Sequence, residues 1–222
     1  MMIAEEIRRL HEALPSGVRL VAVSKFHPVS AIEEAYRAGQ RRFGESRVQE
    51  LLEKIPQLPA DIEWHFIGHL QTNKVKQLVG KVSLIESVDS ERLINLIDSE
   101  SRKKGVTSRV LMQVHVAREE TKFGFYPEEL IAYFRERKFE SLTNTCICGV
   151  MGMASNTDDL ERVRLDFRNI HKVYAEIAGD PSLGLEGFDT LSMGMSGDWP
   201  IAVEEGANLI RVGSLIFGPR QY

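Results

Sequence analysis

The stretch VRLVAVS, residues 18–24, is apolar at almost every position and lacks a two-residue alternation between core-facing and water-facing side chains. A strand of this kind is buried on both faces, as in a parallel sheet covered by helices. It is preceded by an amphipathic segment carrying Ile3, Ile7, Leu10 and Leu14 at three- and four-residue spacing, which Pro15-Ser16-Gly17 ends. A helical pattern from Val29 to Ala38 follows, with Pro28 at its start and Gly39 just past its end.

The alternation continues to the end of the chain. The pattern predicts further strands at 42–43 (the weakest), 62–67, 82–85, 109–116, 145–151, 188–191 and 209–212. Helices are predicted between them at 46–55 and 73–79, after an N-cap at Asp89, at 127–137, from Thr157 onward and at 199–205. Parallel neighbours need long crossovers, and helices supply them. Eight such units in 222 residues predict the α/β class, specifically a single-domain (β/α)8 TIM barrel over 1–222. The alternative is a doubly wound open sheet built from the same elements.

Composition narrows the functional classes. The 28 basic against 32 acidic side chains leave a net charge of −4, which gives no sign of a nucleic-acid partner. The apolar runs are short and broken by charge, so no membrane span is predicted, and the N-terminus does not read as a secretory signal. A cytoplasmic protein is expected. Cys146 and Cys148, the only cysteines, are expected to point to opposite faces of their strand and to form neither a disulfide nor a chelating pair.

In a barrel of this kind the reacting groups sit at the C-terminal ends of the strands. Lys25 follows the first strand, where its amine would point into the mouth; near low-dielectric walls part of it would be neutral and nucleophilic toward carbonyls. The alternative is a solvated lysine at a strand end. LSMGMSGDW (191–199) and RVGSLIFG (211–218) follow the seventh and eighth strands, the usual place of a phosphate site. Gly194, Gly197 and Gly213 let backbone approach an anion, and Ser192, Ser196 and Ser214 offer hydroxyl donors. Arg211 is a charged fork at the same rim, suited to a phosphate or a ring nitrogen. Otherwise these residues only turn the chain. An amine facing a phosphate cradle suits a phosphorylated aldehyde: pyridoxal 5′-phosphate, or a sugar phosphate in a Schiff-base aldolase.

Other groups are weaker candidates. His65 and His69 in HFIGH lack the glutamate of a zinc-protease helix and are too far apart along a strand for chelation, so no metal is expected. Trp64 and Trp199 read as packing residues, and Lys74 and Lys76 as a solvated edge. Met151, Met153, Met193 and Met195 could floor a planar ligand, but core packing is the expectation.

VAVSKFHPVSAIEEAYRAGQRRFGES (21–46), VQELLEKI (48–55), IEWHFIGHLQTNKVK (62–76), KFGF (122–125), GVMGMAS (149–155) and the run from Leu191 to Gly218 together resemble the pyridoxal phosphate homeostasis protein family, YggS-like proteins related to the barrel domain of alanine racemase. The resemblance implies a fold-type III barrel with pyridoxal phosphate as an imine on Lys25, phosphate contacts from Ser196, Gly213 and Ser214, and Arg211 beside the cofactor. One departure stands out: Ser46 replaces the asparagine of the usual FGEN, which puts that asparagine's contact in doubt. GVMGMAS replaces the commoner GLMTI-type segment, so an altered lining is expected there.

Two functions compete. One is a non-catalytic binder that keeps intracellular pyridoxal phosphate and vitamin B6 in balance, with PLP-dependent apoenzymes as recipients and a monomer as the expected state. The other is a small PLP-dependent amino-acid racemase, which needs acid–base groups on both faces of its substrate. Alanine racemase draws its opposing tyrosine from a partner, near an added C-terminal domain. Here Tyr36, Tyr126, Tyr133 and Tyr174 fall on outer helices or helix starts and the chain closes at Tyr222, so none is an evident opposing base, although a histidine such as His65 could substitute. No catalytic residue is assigned, and the binder is favoured.

Overall fold

A computed structural model describes residues 2–118 and 123–219. Lys122 of the KFGF segment and Tyr222 therefore lie outside the described residues. The eight strands are β1 (Arg19–Val23), β2 (Arg42–Glu45), β3 (Glu63–Phe66), β4 (Leu84–Val88), β5 (Ser108–Val114), β6 (Thr145–Gly152), β7 (Thr190–Ser192) and β8 (Leu209–Val212). All pair in parallel, each with its sequence neighbours, and β8 returns to β1 to close a barrel. Closure removes the open-sheet alternative.

Nine α-helices surround the strands among the described residues: α1 (Ile3–Ala13), α2 (Val29–Arg37), α3 (Val48–Lys54), α4 (Val75–Leu78), α5 (Glu91–Lys104), α6 (Pro127–Arg135), α7 (Leu160–Ala178), α8 (Trp199–Glu204) and α9 (Ser214–Phe217). Leu20, Ala22, Phe43, Val110, Val150 and Ile210 point outward from the strands into one core shared with the helices, and Trp64 is buried there as expected. The alternate residues point inward. Val21, Leu84, Leu111, Cys148, Met151 and Leu209 fill the barrel with a second, smaller apolar cluster.

Several boundaries move, each for a local reason. α5 is capped by Ser90, whose hydroxyl accepts the Leu93 N–H, because Asp89 is held by His69 instead. α7 starts at Leu160, since the Asp159 carboxylate accepts the N–H groups of Glu161 and Arg162 and stops the helix from reaching back to Thr157. Phe188 lies outside β7 and packs on the rings of Phe134 and Tyr174.

The cysteines correct the expectation of opposite faces. Residues two apart on a strand share a face, and here the strand also bulges. Val110 pairs with Ile147 and Leu111 with Gly149, so Cys148 has no partner in the ladder. Gly149 makes the bulge possible: its φ is +148°, and a Cβ there would lie 1.8 Å from the Thr190 carbonyl oxygen. The Cys146 and Cys148 sulfurs end up 3.8 Å apart.

Candidate functional site

The strand ends gather the predicted groups around one cavity of about 260 Å3, whose wall includes Lys25, Ser196, Arg211, Gly213 and Ser214. His27, Met153 and Met195 complete much of the lining. Two of the four methionines thus face the cavity rather than the core, while Met151 and Met193 are buried as expected. A larger hollow of about 410 Å3 lies at the opposite end of the strands, but two of its cations are already paired, Arg41 with Asp61 and Arg42 with Glu63.

Lys25 sits in the turn between β1 and α2, and a buried charge cluster fixes that turn from both sides. The Lys54 ammonium, at the end of α3, donates to the Ser24 carbonyl (3.0 Å), to Glu45 Oε1 (2.7 Å) and to Glu50 Oε1 (2.6 Å). Glu45 also accepts the Ser24 hydroxyl, and Glu50 accepts the Phe26 N–H at 2.6 Å. Both neighbours of Lys25 are therefore held. Phe26 adopts φ +66°, a left-handed conformation rare for a bulky side chain, with the Arg47 guanidinium 4.7 Å from its ring centre. His27 stacks on Phe217 at 5.1 Å and ties the turn to α9.

Arg211 departs from its expected place at the rim. It sits on β8 at inward parity and is only 4% exposed. Its guanidinium donates to the Ser192 hydroxyl and to the Gly152 carbonyl (2.9 Å) and lies 3.7 Å from Glu86 Oε2. Ser192 in turn donates to Glu86 at 2.6 Å, and His65 Nδ1 donates to the other Glu86 oxygen at 2.6 Å. Arg211 thus forms a cavity wall while anchored from behind by a buried carboxylate. Burial would raise the Glu86 pKa, but the His65 hydrogen bond, the charges of His65 and Arg211, and the Ser192 hydroxyl hold it below the ordinary value. Burial pulls the Arg211 pKa down, against the charges of Glu86 and Asp198.

A carboxylate depressed in the folded state adds stability above its ordinary value of 4.5, and that stability is lost as pH falls through the folded value. Burial raises Glu45, which therefore acts in the opposite sense. The difference in unfolding free energy between wild type and Glu86→Gln isolates the first effect: it is expected to shrink as denaturant titrations move below about pH 4.5. A difference independent of pH would mean that folding leaves the Glu86 pKa unchanged.

The two remaining rim turns are joined directly. The Gly213 N–H donates to the Ser196 hydroxyl at 3.2 Å. The N–H groups opening α9 at Ser214 have no intrahelical acceptor, and a Cβ on Gly197 would meet nothing within 4 Å. The turns therefore leave an open, donor-rich edge. Ser46 is not part of the cavity wall: its backbone packs on Gly68, where a Cβ would lie 2.3 Å from the Ser46 carbonyl oxygen. His65 lies behind Glu86 rather than in the wall, and His69 stacks on Phe123 at 3.7 Å. No cluster of His, Cys, Asp and Glu suited to a metal ion occurs among the described residues.

Residues 2–221 match the family of the alanine racemase N-terminal domain. The chain belongs to that family. It is 41% identical to the pyridoxal phosphate homeostasis protein of Aquifex aeolicus (strain VF5), over 99% of this chain and 96% of that one. Among solved structures of family members it is similar to PipY of Synechococcus elongatus PCC7942 with PLP bound, at 38% identity and a TM-score of 0.89, covering 98% of this chain and 100% of that one. The alanine racemase of Clostridium difficile 630 shares the fold, with a TM-score of 0.78 at 13% identity, and this chain covers 56% of it.

Sequence reasoning missed Glu45, Glu50, Lys54 and Glu86, and it took Ser192 for a phosphate donor, whereas its hydroxyl donates to Glu86 inside the barrel. The signal was present: Glu86 and Ser192 are polar residues within buried strands, at the parity that turns them into the barrel.

Proposed function

We propose that this protein binds pyridoxal 5′-phosphate and acts in intracellular PLP homeostasis without a robust catalytic activity of its own. The observation that carries the reading is the single cavity that joins an amine, a donor-rich edge and a buried guanidinium. These match the three recognition elements of the cofactor: an aldehyde, a phosphate and a pyridine ring. The names of the relatives and the PLP bound to PipY support the same cofactor.

In this reading Lys25 would hold the cofactor through its aldehyde, Ser196, Gly213 and Ser214 would hold the phosphate, Arg211 would face the ring, and Met153 and Met195 would shape the slot. The bound cofactor would supply an electron sink for carbanions. The chain's own groups anchor it and little more. Racemisation needs a proton donor and an acceptor on opposite faces. No tyrosine lines the cavity among the described residues, and His65 is turned to Glu86.

Two experiments test this. Ser214→Ala is expected to weaken PLP retention several-fold, the loss of about 1 kcal/mol for one hydrogen bond, with no change in Tm; unchanged retention would remove Ser214 from the phosphate site. Holoprotein incubated with L-alanine in deuterated water is expected to leave the α-proton in place. Rapid deuterium uptake with appearance of the D-enantiomer would favour the racemase reading instead.

A further inference from the structure

Cys146 and Cys148 take no part in the cavity and sit toward the opposite, N-terminal end of the barrel. Three features distinguish them from ordinary packed thiols. The first is proximity: the bulge at Cys148 brings two sulfurs on one strand to 3.8 Å, with the Cys148 thiol turned toward Cys146. The second is charge. Arg109, on β5 directly across the ladder from Cys146, donates its Nε–H to Cys148 Sγ at 3.3 Å. Burial and the neighbouring Cys148 sulfur raise the Cys146 thiol pKa, and the Arg109 charge opposes them. The third is access: Cys146 is half-buried while Cys148 is enclosed, so a reagent from solvent reaches one thiol and finds the other behind it.

A soft metal ion would also suit two sulfurs, but Arg109 would meet it with a positive charge. The same guanidinium assists an anionic sulfur during exchange. We propose that Cys146 and Cys148 form a dithiol that closes to an intrastrand disulfide by exchange with a low-molecular-weight disulfide. In the first step the Cys146 thiolate attacks one sulfur of the small disulfide. A mixed disulfide forms and one small thiolate leaves, to be protonated by solvent. In the second step the Cys148 thiolate attacks the Cys146 sulfur, the protein S–S bond forms, and the second small thiol departs. Two protein thiols are oxidised and one small disulfide is reduced to two thiols. The sulfurs must close from 3.8 Å to about 2.05 Å.

The test uses the full chain and glutathione disulfide as the probe. After incubation the protein is denatured, alkylated and weighed intact. Because the chain has only these two cysteines, the expected product has lost two hydrogens, carries no alkyl group, and regains both alkylation sites after dithiothreitol. Cys146→Ser is expected to show no such product. Two alkylated thiols after oxidation would overturn the proposal, as would a persistent glutathione adduct, or a disulfide that only links two molecules on a non-reducing gel. None of these readouts depends on cofactor binding.

Discussion

Lys54→Met is expected to lower stability by about 3–5 kcal/mol, because it leaves two carboxylates at a buried site without their cation. For a chain of this size that corresponds to a fall in Tm on the order of 10 °C. Glu45 is fully buried and Lys54 almost so, which leaves water little room to replace the ammonium. The deficit should grow with pH. Without Lys54, Glu45 can relieve its charge only by taking up a proton, and that relief is lost as pH rises above its raised pKa. The damage should also reach the cofactor, since the Ser24 carbonyl loses its donor and Glu50, which accepts the Phe26 N–H, loses the cation that places it. Thermal melts at pH 5 and pH 8, with the amount of borohydride-trapped PLP measured in parallel, check both effects. A pH-independent loss below about 1 kcal/mol would show that the cluster is solvated and does not hold the turn.

Arg211→Ala carries the second large effect, and the structure changes what it should do. An arginine at an exposed rim would affect only ligand retention. Here its removal strands Glu86 in the barrel beside His65 and Ser192 and frees the Gly152 carbonyl. A stability loss of about 3–5 kcal/mol is therefore expected together with loss of PLP. Arg211→Ala/Glu86→Leu should recover part of the stability, because the buried charge is gone, while PLP retention stays low. Comparing the single and double variants by denaturant titration and by cofactor spectrum separates the two roles. If the single variant were as stable as wild type, the guanidinium would not be compensating Glu86.

The barrel was legible because its strands are buried on both faces, and runs such as VRLVAVS say so without any alternation to interpret. β2 was the faintest because its residues 44 and 45 are Gly44, which faces the barrel, and Glu45, which belongs to the Lys54 cluster; neither contributes to an apolar run. The residues at 25, 196, 213 and 214 were among the strand-end candidates, and one cavity unites them. Arg211 lies deeper than its nearness to a strand end suggests, because Leu209 and Arg211, two residues apart, both turn inward. The bulge at Cys148 could not be read, since it depends on how β6 meets β5 and β7 across the sheet. Likewise, the clamp on Lys25 joins residues up to 30 positions apart, a proximity that only the closed barrel creates.

The Lys25 amine is expected to capture the aldehyde whose phosphate the last two turns hold. Protein reconstituted with PLP, reduced with borohydride and digested should yield one pyridoxylated peptide, modified at Lys25, and Lys25→Ala should yield none while remaining folded. A pyridoxyl group on another lysine in wild-type protein, or no adduct after reconstitution, would contradict the account.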